Sequence, residues 1–110
     1  MTTLSEPEFR QSVQATFDRI EKAFESVDPD IAECEQSLGS LTITFSDDTR
    51  CILSVQPSVR QLWLAMAAKG TAIHFNYDSG RWVDDKSKGI ELVAYLNGYF
   101  QDSHQLSLNL

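Results

Sequence analysis

Acidic side chains crowd the stretch between residues 18 and 35 of this 110-residue chain, and carboxylates are the ligands that hard cations prefer. Asp18, Glu21 and Glu25 follow one another at intervals of three and four, which aligns side chains along one flank of a helix. Together with four further carboxylates they are expected to form a continuous surface, here called the acidic ridge: Asp18, Glu21, Glu25, Asp28, Asp30, Glu33 and Glu35.

An open array of carboxylates without a closed cage should bind several cations loosely instead of one tightly. Fe³⁺, Ca²⁺, Mg²⁺ and Mn²⁺ are hard ions that fit such an array, and Fe²⁺ would be accepted weakly. Charge alone leaves a second interpretation open, in which the acidic ridge is an ordinary solvated face without a ligand.

Trp63 is the second residue whose setting suggests a function. Leu62 and Leu64 alternate with it in a short apolar run, and this period of two is typical of a strand with one buried face. If the leucines face the core, Trp63 points outward beside Gln61, where an exposed aromatic side chain fits the anchor of a protein interface. A shift of one residue in this assignment would instead bury Trp63.

The first half of the acidic ridge needs a helix to position it. Ser5 followed by Glu8 is a capping box that begins this helix. The helix is expected to end at Asp28, because Pro29 pushes the residue before it out of the α region. An apolar stripe that would face the core recurs at spacings of three and four: Phe9, Val13, Phe17, Ile20, Phe24 and Val27.

Strands are expected to carry most of the remaining chain. The first spans residues 31–38 and places Glu33 and Glu35 together on one face. A β-hairpin covers residues 40–55, and three more short strands are predicted around residues 62–64, 72–76 and 81–84. Residues 66–70 are assigned to a connection.

A second helix follows the last strand, and an apolar tail follows that helix. The tail is expected to pack along a groove, through Leu106, Leu108 and Leu110. No connection between strands is long enough for a crossover helix. We therefore predict an α+β fold, a two-layer sandwich in which the N- and C-terminal helices pack on one face of an antiparallel sheet of about six strands. The predicted inward positions of the second helix are Ile90, Val93, Leu96, Asn97 and Phe100.

Length and charge limit the class of protein. The chain is expected to be a single domain over residues 1–110. Its net charge of −7 comes from the first half, because residues 1–50 carry 11 acidic and 4 basic side chains while residues 51–110 carry 5 of each. The negative electrostatic field of this half would repel phosphate groups, which argues against nucleic acid and anionic membranes as partners. Without a bilayer-spanning apolar run or the basic start of a signal peptide, we expect a soluble, cytoplasmic protein.

The sequence contains no recognisable catalytic arrangement. A nucleophile elbow, a phosphate-binding glycine loop and a Cys-His-Asx set are all absent. His74 and His104 have no carboxylate at local spacing and are predicted to be structural. Cys34 and Cys51 form no C-x-x-C pair and are predicted to be reduced, partly buried thiols. We therefore expect no enzyme, although oxidation of iron held on the acidic ridge is conceivable.

Four motifs occur together along this chain: Leu41-Thr42-Ile43-Thr44-Phe45, Gln61-Leu62-Trp63-Leu64-Ala65, His74-Phe75 and Trp82. Together they resemble the frataxin family, in particular its bacterial members. The resemblance runs from the first helix to the second, and it implies the two-layer fold predicted above. It also implies that the acidic ridge binds iron, and that the chain binds the cysteine desulfurase and the scaffold protein of iron-sulfur cluster assembly.

On this resemblance the chain is expected to be an iron-binding regulator or iron donor in cluster assembly. Partner contacts are expected from Trp63 and Gln61 on the sheet and from Glu21, Glu25 and Asp28 on the acidic ridge. The expected state is a monomer that iron can drive to oligomerise, with other divalent cations able to substitute for iron. The alternative is an acidic protein-interaction module without a physiological metal role.

Overall fold

The computed structural model describes residues 4–108 and residue 110, and these fold into two helices and six strands. All six strands form one antiparallel sheet in chain order, with β1 and β6 at its edges. The helices and one face of the sheet share a common core, which confirms the predicted two-layer α+β sandwich. The elements are α1 (Glu6–Phe24), β1 (Ala32–Ser37), β2 (Ser40–Phe45), β3 (Arg50–Gln56), β4 (Gln61–Met66), β5 (Thr71–Asp78), β6 (Arg81–Asp84) and α2 (Leu92–His104).

α1 begins as its sequence predicts but ends earlier. Both halves of the capping box are present, because the Ser5 hydroxyl accepts from the Glu8 backbone N–H and the Glu8 carboxylate accepts from the Ser5 N–H. The helix ends at Phe24 instead of Asp28. The backbone N–H groups of Glu25 and Val27 donate to carbonyls three residues back, so the chain has already left the α-helical pattern when it reaches Asp28.

β4 and β5 are longer than predicted. Met66, which the sequence places in a connection, is fully buried, belongs to β4 and pairs with Thr71 of β5. The reversal between them is a single 3₁₀ turn over Ala67–Lys69, closed by Gly70 with φ +61°. Because glycine adopts this left-handed conformation without steric cost, the turn can be short and the strands can extend up to it.

The buried positions of α2 differ from the predicted set. Leu96 and Phe100 face the core as expected, but Ile90 precedes the helix, and Val93 and Asn97 are only partly buried. The fully inward set is Leu92, Leu96, Tyr99 and Phe100. The prediction started the helical period too early, because the helix begins after its N-cap Glu91, whose carboxylate accepts the backbone N–H groups of Val93 and Ala94.

The chain beyond α2 packs back onto the core as predicted. Leu106 and Leu108 lie against it, and Leu110 is buried. The Leu110 N–H donates to the Asn97 side-chain oxygen at 3.2 Å, which explains why an amide occupies a half-buried position of the helix. Neither helix, in the part of the chain that is described, combines the length and the apolar composition that crossing a membrane requires.

A buried carboxylate organises the segment between β6 and α2. Asp84 accepts the backbone N–H groups of Lys86, Lys88 and Ile90 at 3.2, 2.9 and 2.9 Å. These bonds, led by the one from Lys88, stabilise the ionised form and lower the pKa of Asp84. The segment that begins at Asp85 is therefore fixed at its root by hydrogen bonds to a single side chain.

His104 ends α2 in contact with two aromatic rings. Its ring lies parallel to that of Phe45, with centroids 3.5 Å apart, and its Nε2 is 3.0 Å from the Tyr99 hydroxyl. Burial lowers the pKa of His104, while the charge of Asp47 acts in the opposite direction. The predicted structural role of His104 agrees with this packing.

We expect His104 to make folding stability depend on pH in the mildly acidic range. Its folded-state pKa lies below the ordinary value, so its contribution is complete above about pH 6.5 and is lost as the pH falls from there through the folded-state pKa. The difference in free energy of unfolding between the wild type and His104→Gln should therefore shrink between pH 7.5 and 5. Urea denaturation at a series of pH values measures it, and a pH-independent difference would contradict the assignment.

Candidate functional site

The α1 carboxylates are joined to β1 by two glutamine side chains. Gln14 donates to Asp18 at 2.7 Å and to the side-chain oxygen of Gln36 at 3.1 Å. Gln36 in turn donates to Asp18 at 3.1 Å and to Glu21 at 3.3 Å. A hydrogen-bonded seam therefore runs between helix and edge strand, and it fixes the position of the carboxylates that flank it.

Beyond this seam, a cleft of about 390 Å³ opens between the end of α1, the turn that follows it and β1. Phe24 and Ala32 contribute apolar lining, and Cys34 lines the same cleft. Four carboxylate residues border it: Glu21, Glu25, Glu33 and Glu35. The cleft is thus an apolar depression with an acidic border at the edge of the sheet.

Cys34 is not equipped to serve this cleft as a thiolate. Burial, followed by the charges of Glu21 and Glu35, raises the pKa of Cys34 to about 12. Burial likewise raises the pKa of Cys51 to about 12. Both cysteines are free thiols. They pair with opposite sides of Ile43, and two strand spacings of roughly 10 Å separate them by more than a disulfide can span.

The structure divides the predicted acidic ridge into three groups. Asp18, Glu21 and Glu25 stand on or at the end of α1. Asp28 and Asp30 lie in the turn that follows, where the Asp28 carboxylate accepts the Asp30 N–H at 2.9 Å. The third group, Glu33 and Glu35, alternates with the inward residues of β1 and so lies on the sheet face away from the helices.

This division bears on how metal could be held. Across residues 4–108 and 110, no three His, Cys, Asp or Glu side chains come together as a preformed chelating cluster. The seven carboxylates are instead spread over a helix, a turn and an edge strand. Such an arrangement offers separate oxygen ligands and strong negative charge, so the assignment of any one of them as an iron ligand stays a prediction.

Trp63 lies on the open face of the sheet. Its neighbours Leu62 and Leu64 are fully buried, whereas its own side chain is partly exposed, as the alternation predicted. The indole stacks on the His74 ring with centroids 4.1 Å apart and planes 11° from parallel. Its Nε1 donates to the side-chain oxygen of Gln61 at 2.8 Å. An aromatic surface with hydrogen-bonded support is therefore presented to solvent.

His74 has a carboxylate beside it that local spacing in the sequence does not predict. Asp85 Oδ2 lies 3.5 Å from His74 Nδ1. The signal was the two-residue turn Ser79-Gly80, because that turn pairs Asp78 with Arg81 and carries the antiparallel register on until Asp85 is opposite His74. Spacing along the chain could not reveal a contact that the turn creates across strands.

Comparison with known proteins points to one family. A family model described as a frataxin-like domain matches residues 2–105. The iron-sulfur cluster assembly protein CyaY of Pseudomonas fluorescens is 43% identical over 88 residues, covering 78% of this chain and 77% of that protein. CyaY of Paraburkholderia phytofirmans is 35% identical over 96 residues, covering 87% and 88%.

Solved structures give the same picture of the fold. Frataxin from Psychromonas ingrahamii superposes with a TM-score of 0.85 at 25% identity, covering 96% of this chain and 97% of that one. Trimeric frataxin from the yeast Saccharomyces cerevisiae, described as complexed with ferrous ion, superposes with a TM-score of 0.70 at 22% identity and coverage of 96% and 91%. At this lower identity the likeness concerns the fold alone.

Proposed function

The chain belongs to the frataxin family, and from that premise we propose that it is a non-enzymatic, iron-binding regulator or iron donor in iron-sulfur cluster assembly. The observation that carries the proposal is the acidic cleft at the α1–β1 edge, with Glu21, Glu25, Glu33 and Glu35 around it. The bacterial relatives are named for cluster assembly, and the proposal keeps the cytoplasmic location expected from the sequence.

Iron is the cargo in this proposal and not a resident cofactor. The acidic ridge supplies oxygen ligands on separate elements, which suits weak and exchangeable binding of several ions. Other divalent cations would compete for the same carboxylates. Weak oxidation of iron held there would be a side reaction, and oxygen consumption above that of iron alone would measure it.

The proposed partners are the cysteine desulfurase and the scaffold protein. Glu21, Glu25 and Asp28 would dock on a basic patch of the desulfurase, where opposite potentials speed and orient association. Trp63 and Gln61 would contact a partner across the open face of the sheet. The carboxylates of α1 and of the turn after it lie at the β1 edge of the sheet, whereas Trp63 lies on the open face of β4, so one molecule can engage both surfaces at once. The protein would act as a monomer, with iron able to drive oligomers.

The second candidate is an acidic interaction module whose metal binding has no physiological role. The observation that favours it is the lack, among the residues that the structure describes, of a convergent ligand cluster. In that case negative charge would serve the partner alone. Cations would then bind according to charge, without preference for iron, and would be displaced at moderate salt.

An anaerobic Fe²⁺ titration followed by amide resonances separates the two candidates. At physiological ionic strength we expect saturable broadening around residues 21–35 with paramagnetic Fe²⁺. A parallel Mg²⁺ titration, followed by chemical-shift changes, should affect the same residues only at much higher concentration. The double variant Glu21→Gln, Glu25→Gln should reduce the broadening. The double variant Asp78→Asn, Asp102→Asn removes the same charge at exposed sites elsewhere and should not. Equal, diffuse effects of both metals would favour the interaction module.

A further inference from the structure

Three residues form a row across the open face of the sheet. Trp63 of β4 pairs directly with His74 of β5. His74 is in turn opposite Asp85, whose backbone N–H donates to the His74 carbonyl at 2.9 Å. Directly opposed side chains on one face of an antiparallel sheet touch, so the carboxylate of Asp85 reaches the surroundings of the indole although it belongs to the segment after β6.

The hydrogen bonds around Trp63 have a fixed direction. An indole nitrogen can only donate, so the carbonyl end of the Gln61 amide faces it. The amide nitrogen of Gln61 then points the other way, and donates to Asn76 at 3.0 Å and to Asp85 at 3.2 Å. Asn76 could accept or donate by turning its own amide, whereas an ionised carboxylate can only accept. The indole N–H and the Asp85 carboxylate therefore impose the same direction on the chain from its two ends.

The stacked ring beneath Trp63 leads to the same carboxylate. His74 lies 4.1 Å below the indole and 3.5 Å from Asp85 Oδ2, the oxygen that also accepts from Gln61. The two neighbours that hold Trp63, one at its nitrogen and one at its face, thus share one acceptor. The backbone of Asp85 is held in place, because its N–H donates to the His74 carbonyl and the preceding Asp84 is buried; its side chain is 25% exposed.

We propose that Asp85 is a positioning residue for Trp63, holding the indole through Gln61 and His74 in the orientation that a partner meets on the open face. The proposal rests on the docking role given above to Trp63. Asp85 is not among the partner contacts expected from the sequence, and in this role it need not touch the partner. An aromatic side chain already held in its bound orientation loses less conformational entropy on binding.

The free protein provides the first test, since its two indole N–H resonances report different places. The Trp63 resonance reports the open face, while the Trp82 indole donates to Thr16 at 2.8 Å inside the molecule. In Asp85→Ala we expect the Trp63 resonance to shift and its proton to exchange with water several-fold faster, with Trp82 unchanged. Asp78→Ala is the matched control, because it removes an exposed carboxylate from β5, the strand that carries His74. It should shift neither indole resonance.

Asp85→Asn separates positioning from simple loss of structure. Asparagine keeps the shape but can donate as well as accept, so position 85 no longer favours the wild-type orientation of Gln61 and only the indole N–H does; the Trp63 resonance should therefore fall between those of the wild type and Asp85→Ala. If the Trp63 indole in Asp85→Ala keeps its wild-type shift and exchange rate, Asp85 does not position it and the proposal is wrong.

Affinity for the desulfurase–scaffold complex is the second test. Loss of preorganisation of one side chain should weaken binding by Asp85→Ala about two- to tenfold, less than Trp63→Ala. Wild-type affinity of Asp85→Ala beside a weakened Trp63→Ala would overturn the proposal. Wild-type affinity of Trp63→Ala would instead refute the docking role of Trp63, and the indole resonances would still decide whether Asp85 holds the ring.

Discussion

Reversing Glu21, Glu25 and Asp28 together to lysine should weaken binding of the cysteine desulfurase by at least about a hundredfold. Glu21 and Glu25 border the acidic cleft at the end of α1, and Asp28 lies in the turn that follows. If a basic patch docks there, attraction becomes repulsion at the point of closest approach, and both association rate and affinity fall. Surface plasmon resonance or calorimetry with the purified desulfurase measures the change.

The size of the charge change requires a control of its own. Reversal of Glu6, Asp78 and Asp102 alters net charge by the same amount at exposed positions away from the cleft, and should cost little affinity. Both triple variants should keep the wild-type circular dichroism spectrum, because none of the six side chains is buried in the core. Unchanged affinity of the Glu21, Glu25, Asp28 variant would rule out docking through the acidic ridge.

Replacing Trp63 by alanine should weaken the complex with the desulfurase and scaffold by about 2 kcal/mol or more, roughly thirtyfold, if the indole is an interface anchor. The side chain is held on one face by His74 and at its nitrogen by Gln61, so it is presented to a partner without the need to order it first. Calorimetric titration of the variant against the complex measures the loss.

Two further variants determine what the indole contributes. Trp63→Phe keeps a ring that can stack on His74 but has no N–H for Gln61, and an intermediate affinity is expected. Val59→Ala removes an exposed apolar side chain, 52% accessible, from the turn before β4 and should leave affinity unchanged. If Trp63→Ala binds as the wild type does, the open face is not the contact surface at this residue.

The buried face of a single helix or strand could be predicted from the sequence, because buried apolar residues recur at the spacing of that element. The alternation of Leu62 and Leu64 placed Trp63 outward, and the apolar stripe of α1 identified its buried face. The sequence does not predict the end of α1 correctly, because i→i−3 bonds replace the α-helical ones before Asp28 and depend on how the chain must turn into β1. Local spacing contains no information on that path.

Contacts between elements were the harder part of the site. Asp85 reaches His74 only through the register of two strands, and Gln36 joins Asp18 to Glu21 only once β1 lies beside α1. The acidic ridge illustrates the same limit. Its residues were identified by type, but their division between helix, turn and strand faces follows from tertiary packing, which charge patterning does not encode.

The chain-order sheet has a consequence for how the molecule assembles. Each strand pairs with its neighbour in sequence, and such short closures cost little chain entropy and form early. The distant contacts are left to the helices, as in the bond from Trp82 of β6 to Thr16 of α1, 66 residues apart. We therefore expect helix docking to set the folding rate. The meander that carries Trp63 would then form before α1 packs on it, so the cleft between α1 and β1 would be the last of the proposed contact surfaces to be completed.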